Sequence, residues 1–180
     1  MATLIKGRRI VNDKWQRLDA QRWLQVGEDG LVPDFPDAAE LIVAPKLWAL
    51  RRDDLLARRG RLGLRLEPGD DPAQFAADLE HFDLVAVSFP KFGDGRGYST
   101  AKLLRERYGY KGELRAVGQI TRDLLYFMEK VGFDAYELRE GEDRAEALAA
   151  FEDISAAYQR FAIRGQSLNS RDEELSELRL

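Results

Sequence analysis

One glycine-rich segment holds most of the side chains that could do chemistry. The stretch PKFGDGRGYST, residues 90–100, places two cations, a carboxylate and a phenol around three glycines. Glycine allows positive φ and close approach of a ligand, and cations beside free helix N–H groups are typical of an anion site. The candidate binding residues are Gly93, Gly95, Gly97 and Arg96, and the candidate catalytic residues are Lys91, Asp94 and Tyr98.

Each catalytic candidate has a role that its residue type suggests. Lys91 could act as an electrophile or base, Asp94 could orient a group or act as a general base, and Tyr98 could donate a proton or stack on a ring. A structural alternative stays open. In it, Asp94 pairs with Arg96 to fix a glycine-rich turn, and Tyr98 packs beneath that turn.

Three further candidates follow other predicted strands. Arg122 could clamp an anion and Asp123 could serve as a base or orienter, since both open the helix after the fourth predicted strand. An Asp in a first helical turn also stabilises the helix dipole without any function. Lys46, after the first predicted strand, is a weaker candidate for binding substrate.

Familiar catalytic motifs are missing from the 180 residues. There is no Ser-His-Asp pattern, HExxH, CxxC or P-loop, and Gly93, Gly95 and Gly97 do not fit the Rossmann spacing. The chain has no cysteine and one histidine, His81, so a cysteine-ligated cluster, a dithiol or a histidine metal pair cannot form within it. No metal site is predicted, and the sequence leaves the cofactor unknown.

The elements that must position these residues alternate regularly after residue 40. The predicted strands are 41–44, 61–67, 84–89, 113–118 and 134–138, and the predicted helices are 47–60, 72–80, 99–108, 121–131 and 143–159. Strands separated by helices predict an α/β fold with a parallel sheet of about five βα units. In such a sheet, ligands bind at the carboxyl ends of the strands, where the candidate residues lie.

Two architectures fit the alternation: a partial TIM-like barrel and an open doubly wound sheet. The N-terminal stretch 3–18 is typical of a short β-ribbon. We expect residues 1–40 to form this ribbon and a linker packed on the body, 41–160 to form the βα domain, and 161–180 to be a flexible polar tail.

Charge and hydropathy limit the partners. A net charge of −4 argues against nucleic acid as a partner. No apolar run reaches the length of a membrane span, so we expect a cytoplasmic protein. Residues 46–65 contain seven Lys and Arg against two Asp, which indicates a solvated helix face or a docking patch.

The block from Phe89 to Leu138, FPKFGDGRGYSTAKLLRERYGYKGELRAVGQITRDLLYFMEKVGFDAYEL, resembles the signature of a bacterial domain-of-unknown-function family, family 934. Its members are described as probable oxidoreductases involved in sulfite reduction. The resemblance carries over the motif residues Phe89 to Phe92, Asp94 to Tyr98, Gly112 to Arg115, Gly118, Arg122, Asp123 and Gly132 to Asp134. Members often have Asp where this chain has Ser88 and Gln119, so an acid at either position is not available here.

The resemblance implies a setting in assimilatory sulfate and sulfite reduction. Its implied partners are siroheme sulfite reductase or adenylyl-sulfate reductase, together with a small anionic ligand. The first hypothesis is therefore an accessory protein or oxidoreductase of this process with an anion-binding glycine loop. The alternatives are an independent barrel-like enzyme acting on a small phosphorylated or carboxylated metabolite, and a non-catalytic module that docks on sulfite reductase.

Overall fold

A single mostly parallel sheet organises the chain. The computed structural model describes residues 3–27 and 30–151. Its eight strands are β1 (Thr3–Lys6), β2 (Arg9–Val11), β3 (Gln16–Arg17), β4 (Leu41–Val43), β5 (Leu62–Leu66), β6 (Leu84–Phe89), β7 (Glu113–Gly118) and β8 (Ala135–Leu138). They lie in the order β2-β1-β8-β7-β6-β5-β4-β3. The strands from β3 to β8 are parallel, whereas β1 runs antiparallel to β8 and β2.

The strand order distinguishes the two predicted architectures. A doubly wound sheet reverses its order at a switch point between strands. Here β4 to β8 follow one another without reversal, and the sheet curls into a half-barrel. The open doubly wound alternative is therefore wrong, and the carboxyl ends of the parallel strands share one rim.

The predicted helices 47–60 and 99–108 begin earlier in the structure, and the first also ends at Leu56 rather than at Gly60. Helix α2 spans Pro45–Leu56, because a proline fits the first turn, where its missing N–H leaves no bond unmade. Helix α3 spans Arg96–Lys102 and continues as a π-helical turn through Arg107, whereas the sequence predicted a start at Ser99. Asp94 Oδ1 accepts the backbone N–H of Arg96 at 3.2 Å, which starts the helix three residues earlier.

The remaining helices are short. The predicted helix over 72–80 is wrong: two 3₁₀ turns, Pro72–Phe75 and Leu79–His81, take its place. Nucleating a regular helix is costly for so short a segment. The other helical elements are α1 (Ala20–Leu24), the 3₁₀ turn Arg122–Leu124, α4 (Leu125–Lys130) and α5, which runs from 144 to 151. The rest of the predicted helix 143–159 and the predicted tail 161–180 lie outside the described residues.

The main core fills the convex side of the sheet. Alternate strand residues such as Leu64, Val85 and Ala116 pack there against Leu47 of α2 and Met128 of α4. Buried strands that pack between layers bury nearly all of their residues, as β6 does along its whole length. The helices that follow the strands therefore cover the outside of the half-barrel, as in a βα barrel.

The concave side is closed by the N-terminal chain rather than by helices. Residues 12–15 link β2 on one edge of the sheet to β3 on the other edge. The five Cα–Cα steps from Val11 to Gln16 span at most about 17 Å, so the two edges lie close together. Trp15 packs in this concavity with Ile42 and Leu84, and the edge strands thus face each other across a narrow opening.

The arginine-rich region predicted as a solvated face or docking patch fixes the linker segment, residues 19–40, to the body. Arg51 donates to Trp23 O at 3.1 Å and stacks on Phe35, with its guanidinium carbon 4.6 Å from the ring centroid. Arg58 donates to Pro36 O at 2.9 Å. The sequence could not reveal this role because the acceptors are backbone carbonyls, which leave no trace in composition.

Candidate functional site

The glycine-rich loop after β6 is organised by a local ion pair. Asp94 accepts two hydrogen bonds from the Arg96 guanidinium, at 2.9 Å from Nε and 2.7 Å from Nη2. Arg96 lowers the pKa of the Asp94 carboxyl to about 2 by this bonding, so Asp94 is ionised at neutral pH. Such a carboxylate is a poor general base, and the pair realises the structural alternative for this turn.

The three glycines of the loop have different structural roles. Gly97 lies against the Phe89 ring, where a Cβ would come within 2.4 Å of Cζ. Gly93 has a φ of +83°, which side chains rarely adopt. A Cβ on Gly95 would meet nothing within 4 Å. The alternating pattern that suggested a ligand cradle is thus explained at two of its three positions by packing and backbone conformation.

Tyr98 and Asp123 lie in the segments that follow neighbouring strands, and the charge of Asp123 acts on the Tyr98 phenol. The Tyr98 ring packs edge-on against Phe89, with centroids 5.4 Å apart. Its pKa is raised, first by burial and then by the negative charge of Asp123. Asp123 in turn accepts a 2.6 Å hydrogen bond from the Thr121 hydroxyl. Burial and the charge of Asp123 therefore both favour the protonated phenol of Tyr98, and the Thr121 hydroxyl bonds one oxygen of the Asp123 carboxylate.

The other candidate cations have their own surroundings. Arg122 extends toward α5 and pairs with Glu146 at 2.8 Å, so an anion that binds Arg122 must compete with this carboxylate. Lys46 is exposed at the start of α2 and has no hydrogen bond or ion pair within the described residues. Lys91 is exposed beside Asp94, whose pKa its charge also lowers.

The most exposed large apolar side chain of the loop is Phe92, which the sequence analysis did not select. Its exposed fraction is 72 %, and it lies between Lys91 and Gly93. Phe127, on α4 after the next strand, is 62 % exposed. Both positions belong to connections that leave the carboxyl ends of β6 and β7. We call Lys91, Phe92, Arg96 and Phe127 the loop face.

Arg105 explains several residues of the motif that resembled a functional signature. Its guanidinium donates to the carbonyls of Tyr110, Gly112 and Gly132 at 2.7–2.9 Å and to Asp134 Oδ2 at 2.8 Å. The arginine thereby fixes the two loops that enter β7 and β8. No sequence signal marked it, since its partners are backbone oxygens and a distant aspartate.

A second polar group, also missed by the sequence analysis, lies on the concave side. Arg115 has a side chain that is 1 % exposed and contacts Glu113 at 2.7 Å and Asp13 at 2.8 Å. Arg65 donates to the Ser88 hydroxyl at 3.2 Å on the same side. Ser88 therefore faces the interior rather than the loop face. An aspartate at position 88 would lie beside the Arg65 guanidinium.

Within residues 3–27 and 30–151, no three His, Asp or Glu side chains converge as metal ligands. Over those same residues, no helix has the length and apolar character needed to cross a bilayer.

The fold and the loop face together define a βα half-barrel whose polar and aromatic groups gather where parallel strands end. The chain belongs to a family of bacterial proteins of unknown function, DUF934, whose model matches residues 63–168. This match begins at β5 and includes the glycine-rich loop and the Arg105 contacts. No curated protein matches the sequence.

Proposed function

We propose that this chain is an accessory protein of assimilatory sulfite reduction whose loop face binds siroheme sulfite reductase in the cytoplasm. The sulfur context comes from the family resemblance. We further interpret β4 to β8, each with its following helical segment, as five units of a shortened barrel with β1 and β2 as an edge ribbon. In this arrangement the loop face occupies the rim where barrels carry their function.

The exposure of Phe92 is the observation that carries this proposal. Phe92 is the most exposed large apolar side chain among the described residues. Aromatic residues are enriched in interface cores, so a partner that covers this ring would gain an apolar contact at the loop tip. Lys91 beside it is exposed and could pair with an acidic partner. Phe127 would extend the apolar contact along the neighbouring loop.

The pairing of charges favours docking over catalysis at this face. Asp94 holds Arg96, and Glu146 holds Arg122, so two of the expected anion clamps already have carboxylate partners. An incoming small anion must compete with those partners. A protein surface can instead accept the exposed edge of the Arg96 guanidinium as part of a larger contact.

The test is the affinity for purified siroheme sulfite reductase, measured by biolayer interferometry. Phe92→Ser should weaken binding about tenfold or more, as truncation of a central aromatic contact does. Leu50→Ser is the matched control, because Leu50 is 61 % exposed but lies on α2. No binding by the wild-type chain, or equal binding by both variants, would contradict the proposal.

A second candidate function is supported by the electrostatic interaction between Tyr98 and Asp123. A protonated phenol in the same glycine-rich segment as the exposed Arg96 guanidinium could bind a small phosphorylated or carboxylated metabolite, with Tyr98 donating a proton. Thermal shift with sulfite, sulfate, phosphate and adenylyl-sulfate nucleotides tests this directly, since a ligand at about 100 times its Kd adds about 2.7 kcal/mol of stability. A shift lost in Arg96→Ala but kept in Arg107→Ala would favour this candidate.

A further inference from the structure

A cavity lies in the opening of the half-barrel, away from the loop face. It is bordered by β2 on one side, by residues 12–17 on the other, and by β1 and β8 at its base. Its volume is about 590 Å³, within the range of about 300–1,000 Å³ that is usual for small-molecule sites. We call this cavity the barrel slot.

One wall of the barrel slot is unusually apolar for an edge strand. Ile10 and Val11 of β2 line it and are 43 % and 36 % exposed. Large β-branched side chains on a three-residue edge strand are normally turned inward or covered. Val11 pairs with Leu4, which also lines the slot, so its side chain lies on the slot face, whereas Ile10 pairs with Ile5 and points to the opposite face. The exposure of Val11 toward the cavity indicates an apolar body as the occupant.

Most charged groups of the slot form ion pairs with one another or with neighbours, and one arginine remains outside these pairs. Arg17 pairs with Glu137 across the concave side, and Asp13 pairs with the buried Arg115 at 2.8 Å. Arg144, at the start of α5, also lines the slot. Among the described residues it has no hydrogen bond or ion pair, so its guanidinium is available to an anion.

We propose that the barrel slot binds an amphipathic organic anion. The apolar part packs on Val11 beside Leu4, and the carboxylate, sulfonate or phosphate group bonds to Arg144. Thr3 and Asn12 also line the slot and offer side-chain hydrogen-bond groups to a polar substituent. This site is separate from the loop face, so it does not depend on binding to the reductase.

A strand from a second copy of the chain is the competing occupant, and the edge itself disfavours it. β2 has three residues and follows a tight turn in which Gly7 and Arg8 both have positive φ. Arg8 and Arg9 place two cations at the turn and the strand. Short, charged and strongly bent edges resist the addition of another strand.

The first experiment uses two fluorescent probes that differ in one group. 8-Anilinonaphthalene-1-sulfonate carries the anion, and N-phenyl-1-naphthylamine has nearly the same body without it. We expect one equivalent of the sulfonate to bind per chain, and Arg144→Gln to weaken it about tenfold because a charge-assisted hydrogen bond is lost. The same substitution should leave the affinity for the neutral amine unchanged.

Matched variants separate the slot from other surfaces. Val11→Ser should weaken both probes, whereas Arg107→Gln removes an exposed cation elsewhere and should weaken neither. Phe92→Ser should also leave the sulfonate affinity unchanged, which distinguishes this site from the loop face. Equal sulfonate affinity in Arg144→Gln and wild type would overturn the proposal. A dimeric mass by light scattering together with no probe binding would overturn it in favour of a second copy.

Discussion

Replacing Gly97 with alanine should destabilise the protein through one contact. A Cβ at this position would lie 2.4 Å from Phe89 Cζ and 2.7 Å from Cε1. Carbon atoms are at optimal separation at about 3.5–4.0 Å, so the ring must move by more than an ångström. The Phe89 side chain is 3 % exposed and packs between Tyr98 and Phe133, which leaves little room for that movement.

The expected loss in the free energy of unfolding is the difference between two opposing effects. Overpacking a rigid core side chain costs about 3 kcal/mol, at the upper end of the usual range. Replacing glycine by alanine inside a helix increases the free energy of unfolding by about 1 kcal/mol. The net loss in unfolding free energy is about 2 kcal/mol. For a chain of 180 residues this corresponds to a decrease in Tm of about 4–8 °C.

The assay is urea and thermal unfolding followed by circular dichroism. Gly95→Ala is the matched control, because its Cβ would meet no atom within 4 Å and its φ of −78° suits any residue. We expect the control to stay within about 0.5 kcal/mol of wild type. If Gly97→Ala were as stable as Gly95→Ala, the structural explanation of the glycine spacing would be refuted.

Three further predictions concern charged side chains. Arg105→Met should reduce the unfolding free energy by about 3 kcal/mol or more in urea unfolding, because it leaves three carbonyls and a carboxylate without their hydrogen-bond donor. The exposed control Arg107→Met should change the unfolding free energy little. Equal losses in the two variants would contradict the assigned contacts. Asp94 has a lowered pKa, so its stabilising contribution is complete above about pH 5 and is lost as pH falls toward 2. The difference in unfolding free energy between wild type and Asp94→Asn should therefore shrink from pH 5 to pH 3, and a constant difference would show that Arg96 does not bind the carboxylate. Arg51→Ala should speed limited proteolysis of the linker segment, while the more exposed Arg59→Ala should not; identical cleavage rates would mean that Arg51 does not hold this segment.

The sequence predicted the parallel strands well because each is a short, mostly apolar segment between turn residues. LVAVSF and ELRAVG coincide with β6 and β7, since both strands are buried between layers. The starts of α2 and α3 were missed because Pro45 occupies the first position of α2, and because Asp94, just before the N-cap Gly95, accepts the N–H of Arg96. Such effects depend on a local contact rather than on a repeating pattern.

The candidate site was predictable only as a location. Strand-to-helix order placed Lys91, Arg96 and Tyr98 on one rim, but not the pairing of Arg96 with Asp94 or of Arg122 with Glu146. Both carboxylates were visible in the sequence, yet the choice of partner depends on three-dimensional distance. Phe92 was overlooked because an isolated aromatic residue gives no signal of its exposure.

The central claim is that the loop face contacts sulfite reductase, and hydrogen–deuterium exchange tests it most directly. On addition of the purified reductase, peptides that cover Pro90 to Tyr98 and α4 should gain protection, while peptides that cover Arg51 to Arg59 should exchange as before. Absence of protection in the glycine-rich loop, or protection confined to α2, would contradict the account.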